Sequence, residues 1–362
     1  MKIALLGDIG FFGKFDITKN SSIIDYFTPV TEYLKDFDYV IGNFESPFSI
    51  NSNTYGHKSA FIKAHPANVE LLSFLNIGMV NLANNHIFDY GRKSYELTIN
   101  LLEKQNIRYF GIENKAEFIE YSNTKIALHG YCCYSTNPMG IHHGTGPGIN
   151  KLNVDDVKLN LQKFNDSGYF NIISFHLGQE HVNYPNYDHV VMARQLAQVC
   201  PYLFYGHHPH VLQGIERVDD SLIAYSLGNF CFDDVFTPKS KHPLITQTEN
   251  NKSSIILSLE FKDGRLVQYE AIGIFAGDSK MEINCAKSVR NLTKYSEALS
   301  LDKTEYISKR NNLLSNYIES RKALRDFNWY LKRLNLSSAW MLYNAYNNKK
   351  LYKKHVLDRL EH

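Results

Sequence analysis

The sequence predicts an α/β fold carrying a basic, mainly helical C-terminal extension. Three observations point there: β-rich apolar runs alternate with helical patterns in the first half, strands crowd the segment before residue 276, and beyond Lys287 the pattern turns helical. The runs "KIALLG" and "DYVIGN" read as strands, "NVELLSFL" as a helix and "IGMVNLA" as a strand. "RKSYELTINLLEKQN" has apolar residues at helical spacing, and "IRYFG" and "KIALHGY" return to strand. "YFNIISFHLG" and "YLFYGHH" read as strands flanking the helix "DHVVMARQLAQV". "SLIAYSLGNF", "SIILSLEF" and "LVQYEAIGIF" complete the strand set. After it, Tyr306, Arg310, Leu313, Tyr317, Leu324 and Phe327 recur at helical steps, and Trp329 to Tyr346 mixes aromatic residues with lysines and arginines. The expected division is a domain over 1–286 and an extension over 287–362.

The 362 residues carry a net charge of only +2, but its distribution is uneven. From Lys287 onward there are 16 basic and 7 acidic side chains, against 23 and 30 before it. Such a tail suits a solvated helical cover, or an anionic polymer, a membrane surface or a synthase partner. No specific nucleic-acid motif accompanies it. Five cysteines, an odd number without Cys-x-x-Cys spacing, point to buried reduced thiols and a cytoplasmic protein. Neither a signal peptide nor an apolar stretch of membrane-spanning length is visible. The Gly-rich loop "GIHHGTGPGIN" lacks the Lys-Ser/Thr of a nucleotide P-loop, which argues against ATP binding.

Polar residues collect where the apolar runs end. Asp8 follows "ALLG", and Asn43 and Glu45 follow "YVIG". Asn84, Asn85, His86 and Asp89 follow "MVNLA", His176 and Glu180 follow "IISF", and Asn229 ends "AYSLG". "YGHHPHVLQG" places His207, His208 and His210 within four positions. Singly, each has an ordinary structural use as a turn cap or a hydrogen-bonded rim residue. Together they stand at the strand ends where open α/β sheets bind ligands. In an extended segment residues two apart share a side, so His208 and His210 are expected to aim at one point and His207 elsewhere. Carboxylates, amide oxygens and imidazoles without thiolates suit manganese, iron or zinc at a hydrolytic centre. A bridging carboxylate there can hold two cations about 3.5–4 Å apart.

"GDIG", "GNFESP", "NLANNHIFDYG", "HLGQE", "GHHPHVLQ" and "YSLGNF", in this order, resemble the CapA family of capsule and poly-γ-glutamate synthesis proteins, a branch of the calcineurin-like metallophosphoesterases. The resemblance covers about Met1 to Phe275 and implies a four-layer α/β/β/α sandwich of metallophosphoesterase type. It implies Asp8, Glu45, Asn85, His176, His208 and His210 as ligands of one or two divalent metals, with Glu45 in the bridging position. It implies His86 as the acid that protonates the leaving group, beside Glu45 and Asp8 as catalytic carboxylates. Asn43, Asn84, Asp89, Glu180, His207 and Asn229 fall on the substrate side. The sequence departs from the usual pattern in two places. Asp8-Ile9-Gly10 lacks the imidazole of Asp-x-His, and Glu45 replaces an aspartate. The expected activity is metal-dependent hydrolysis or transfer on a phosphoester, amide or peptide-like bond, with an anionic polymer or peptide as substrate. The alternatives are a non-catalytic synthase subunit, or a metal-free peptide epimerase using Glu45, His86 and His176 as acid and base.

Overall fold

In the computed structural model, which describes residues 1–141, 146–237, 242–323, 331 and 334–360, two β-sheets pack face to face with helices outside each. In chain order the elements are β1 (Lys2–Ile9), α1 (Ile23–Leu34), β2 (Tyr39–Phe44), α2 (Val69–Phe74), β3 (Met79–Asn81), α3 (Gly91–Lys104), β4 (Arg108–Phe110), β5 (Glu117–Tyr121) and β6 (Thr124–Cys132). They continue with α4 (Val154–Asp166), β7 (Phe170–His176), α5 (Tyr187–Ala197), β8 (Tyr202–His207), β9 (Ile215–Val218), β10 (Ser221–Ala224), β11 (Asn229–Cys231) and α6 (Glu249–Lys252). The last are β12 (Ser253–Lys262), β13 (Arg265–Ala276), β14 (Met281–Ile283), α7 (Ala286–Glu297), α8 (Lys303–Ala323) and α9 (Leu336–His355).

The first sheet runs β14-β13-β12-β1-β2-β3-β4, with β1 to β4 parallel and β11 beside the end of β1. The second runs β5-β6-β7-β8-β10-β9, with β6, β7, β8 and β10 parallel. Parallel strands need crossovers, and the helices that supply them cover the outer faces. Phe27, Val30, Leu71, Tyr95 and Leu102 pack onto the first sheet. Val157, Leu161, Val190, Leu196 and Tyr306 pack onto the second. Between the sheets lie Ile3, Leu5, Ile41, Leu128, Ile172, Leu203 and Leu257. Tyr205 ties the two together, its hydroxyl donating to the carbonyls of Leu6 and Ile41. The chain is therefore the expected four-layer α/β/β/α sandwich. All five cysteines are free thiols and four are buried.

Two expectations need correction. "SLIAYSLGNF" is not one strand: β10 belongs to the second sheet and β11 to the first, so Tyr225–Gly228 crosses between them. Gly228, at φ +75°, makes the turn, and its carbonyl accepts from the Asp8 amide at 3.0 Å. A Cβ on Gly7 would lie 2.0 Å from that carbonyl oxygen, so this approach requires glycine. Nor does "HHPH" stay extended: β8 ends at His207, and His208 and His210 adopt φ +94° and +56°. The two-residue alternation therefore does not apply there.

Helices α1 and α4 have no counterpart among the sequence-predicted elements; the first of them contains Pro29. The proposed boundary at Lys287 falls one residue inside α7, whose Leu292 packs into the core between the sheets. Leu324, Phe327, Trp329 and part of the Gly140–Asn150 loop lie outside the described residues. Among the described residues no helix is long and apolar enough to cross a membrane.

Candidate metal centre

The ends of β1, β2, β3, β7, β8 and β11 meet at one buried point. Asp8 stands next to Asn43 and Asn229 in strand register, so three polar side chains are placed by sheet pairing alone. The Asp8 carboxylate accepts from Asn43 Nδ2 at 2.9 Å and the His208 amide at 3.2 Å. It also meets His207 Nδ1 at 3.0 Å and His210 Nδ1 at 3.4 Å. Burial opposes its charge, yet the hydrogen bonds from His207 and His210 hold it well below the usual carboxylate range.

Glu45 is the opposite case. Both of its carboxylate oxygens are buried and form no hydrogen bond. Around Oε1 stand His176 Nε2 at 3.6 Å, His210 Nε2 at 3.7 Å and His86 Nε2 at 3.9 Å. Burial pushes this carboxyl well above its ordinary value. A buried acceptor left unpaired costs about 1–3 kcal/mol, more when charged. The His208 Nδ1 atom is likewise buried without a partner, and burial pushes that ring down to about 3. Unpartnered Glu45 and His208 join Asp8, His176 and His210 in two overlapping sets, Glu45–His208–His210 and Asp8–Glu45–His176, each with ligand atoms within 4.8 Å of one another. A cluster of buried oxygen and imidazole donors sharing one carboxylate is compatible with divalent metals. Asn85 Oδ1, 2.9 Å from His176 Nε2, adds an amide oxygen at the same place.

Supporting contacts orient the rings. His210 Nδ1 meets Asn229 Oδ1 at 2.9 Å, Asn229 Nδ2 donates to Gln247 Oε1 at 3.1 Å, and this relay leaves His210 Nε2 facing Glu45. His86 Nδ1 lies 2.6 Å from Asp89 Oδ2, which turns His86 Nε2 inward. Burial lowers the His86 pKa, with Asp89 acting against it. The sequence reading missed two members. Asn81 Nδ2 donates to Asn43 Oδ1 at 2.9 Å. Lys58, almost fully buried, reaches Asp89 Oδ1 at 2.7 Å and the Asn85 carbonyl at 2.6 Å. Lys58 lies in a stretch with no periodic signal, so only the fold reveals its place.

The structure places Asp8, Glu45, Asn85, His86, His176, His208 and His210 together. Asn43 and His207 touch Asp8, Asn229 touches His210, and Asp89 touches His86. His207, expected to aim elsewhere, therefore points into the cluster, because β8 holds it in register with His176. Asn84 caps its own turn by accepting from the His86 and Ile87 amides and donating to the Phe44 carbonyl. It is used up structurally. Glu180 lines the narrow cavity above the cluster with His86, His181, His210, Phe232 and Gln247.

The family model described as bacterial capsule synthesis protein PGA_cap matches residues 2–234. The chain is 28% identical over 247 residues to the PGA biosynthesis protein CapA of Bacillus subtilis, covering 66% of this chain and 64% of the relative. It is 28% identical over 274 residues to the capsule biosynthesis protein CapA of Bacillus anthracis, covering 72% and 66%. The chain thus spans just under two thirds of either relative's length. Among solved structures, a 5'-nucleotidase from Candida albicans aligns with a TM-score of 0.44 and 11% identity, covering 89% of this chain and 57% of that one.

Proposed function

The chain belongs to the bacterial capsule synthesis protein family PGA_cap, and from that premise we propose a metal-dependent hydrolase or transferase of surface-polymer or peptide biosynthesis. One observation carries the reading: the Glu45 carboxylate is buried, without a hydrogen bond, and faced by three imidazole nitrogens. Asp8, Glu45, Asn85, His176, His208 and His210 would hold one or two cations of manganese, iron or zinc. A bound cation of this kind lowers the pKa of water and stabilises negative charge developing on the reacting group.

The chain's own residues supply the rest. His86, fixed by Asp89 and Lys58, presents Nε2 to the cavity and passes a proton to the leaving group. The Asn229–Gln247 relay holds His210 in place. Phe232, Val235, Ile245 and Ile62 wall the cavity with apolar surface and limit water. The test is turnover on a panel of phosphoester, amide and peptide substrates by wild type and His86→Ala. Loss of turnover with metal content retained supports the reading; equal turnover refutes it. Turnover that survives chelation and brings solvent deuterium into product would replace hydrolysis by proton transfer through Glu45, His86 and His176.

A further inference from the structure

Asn85 is the amide among the proposed ligands, and its use depends on which end faces the cluster. An amide has an acceptor oxygen and a donor nitrogen, and only the oxygen can meet a cation. Oδ1 faces the cluster, 2.9 Å from His176 Nε2, while Nδ2 donates to the Thr136 carbonyl at 3.3 Å. That carbonyl is the only partner of Nδ2 among the described residues. The Asn85 backbone is held from a second side, where Lys58 Nζ donates to its carbonyl at 2.6 Å. Two supports therefore decide where the amide oxygen points, and neither is a proposed ligand.

Helix α9 holds both supports. Thr136 closes a short turn, Tyr134–Thr136, that follows β6. On one flank of it Asn137, at φ +55°, accepts from Asn348 Nδ2 at 2.8 Å. On the other, Tyr134 stacks on His355, centroids 5.6 Å apart and planes 25° from parallel. Lys58 follows His57, whose Nδ1 meets Ser337 Oγ at 2.9 Å. The His57 ring also stacks on Trp340, centroids 6.3 Å apart and planes 11° from parallel. The helix is pinned to α5, where the Tyr352 hydroxyl donates to Asp188 and lies 3.0 Å from His189 Nε2. A helix docked for its apolar area would bury that area. Here no residue of α9 is fully buried, and Leu336 and Leu342 face solvent. Its polar and ring contacts fall instead on the two segments that place Asn85.

We propose that α9 is a positioning clamp for the metal centre. Asn348 and His355 grip the Thr136 turn, Ser337 and Trp340 grip the Lys58 segment, and together they keep the Asn85 amide oxygen aimed at the cation. The proposal rests on the metal reading given above and goes beyond it by making the C-terminal extension part of the site. Loosening either segment lets the amide rotate and turn its NH2 group toward the cation, which repels it. The effect falls on metal affinity. Stability hardly changes, because the gripping contacts are exposed or half-buried.

The experiment titrates the full untagged chain with manganese alone and reads the free ion by electron paramagnetic resonance. Wild type is compared with two double variants, Asn348→Leu with His355→Ala and Ser337→Ala with Trp340→Ala. Two controls accompany them: His355→Phe, which keeps the stacked ring, and Leu342→Ala, on the same helix in solvent. The expected result is affinity weakened about tenfold in each double variant, the low end of what groups behind a ligand contribute. Melting temperatures and both controls should match wild type. In an Asn85→Ala background the double variants should weaken affinity no further; a second tenfold loss there overturns the clamp. A further readout needs no metal: amide hydrogen exchange over residues 84–89 should quicken in both double variants. Wild-type affinity in the double variants, or unchanged exchange over 84–89, overturns the clamp. Should a double variant fail to fold, its single members carry the same test. A wild type that binds no manganese refutes the metal reading, and the exchange alone then decides whether α9 holds Asn85.

Discussion

The sheet-end cluster and the C-terminal helices obey different rules. Asp8, Glu45 and His176 are wholly buried and stand at strand ends up to 168 residues apart, each touching other members of the cluster. The C-terminal helices leave large apolar side chains in solvent: Leu336 is 82% exposed and Leu342 73%. They dock through separate contacts. Tyr306 donates to the Pro185 carbonyl, Tyr352 to Asp188, Asn348 to Asn137, and Ser337 meets His57. A change in the cluster therefore strands several buried partners, whereas a change at an exposed helix position costs little; Leu292 and Tyr306, which pack into the core, are exceptions. The cluster is a network, and the helices are a cover.

The largest effect that could break this contrast is expected at Asp8. Asp8→Ala leaves Asn43, His207 and the His208 amide without their acceptor, and should lower stability by about 3–5 kcal/mol in urea unfolding. A loss below about 1 kcal/mol would mean that the cluster is no network. Next comes a buried imidazole outside the cluster. Burial pushes His129 down to about 4, against about 6.5 when unfolded. The unfolded chain binds the extra proton between those values, so stability should fall by up to about 3 kcal/mol as pH drops from about 6.5 to about 4. His129→Gln should flatten that part of the profile; an unchanged slope would put the pH dependence entirely in the cluster. Manganese at a hundred times its Kd should stabilise wild type by about 3 kcal/mol and leave a Glu45→Ala variant unmoved. Thermal melting reads both. The smallest effect belongs to the cover: Leu342→Ala, at an exposed position, should shift stability by no more than about 0.5 kcal/mol. A larger loss would mean that the helices are core.

Much of the cluster was legible because each member ends an apolar run, and strand-end position survives folding. Asp8, Glu45, His86, His176, His208 and His210 all follow such runs. Lys58 and Asn81 were not legible. Lys58 stands in a non-periodic loop, and its partners become visible only when residues 85–89 fold against it. His207 was misdirected because the two-residue rule assumes extended backbone, and the positive φ of His208 and His210 breaks it. The division of "SLIAYSLGNF" between sheets escaped for a similar reason, since one glycine turn reads as ordinary strand composition. What failed was local geometry; the order of strands and the gathering of their ends did not.

The most direct test is metal content by mass spectrometry on untagged protein, comparing wild type with the His208→Ala, His210→Ala double variant after incubation with manganese, iron or zinc. The account predicts one or two bound equivalents in wild type and their loss in the variant. No metal in wild type, or equal metal in both, would contradict it.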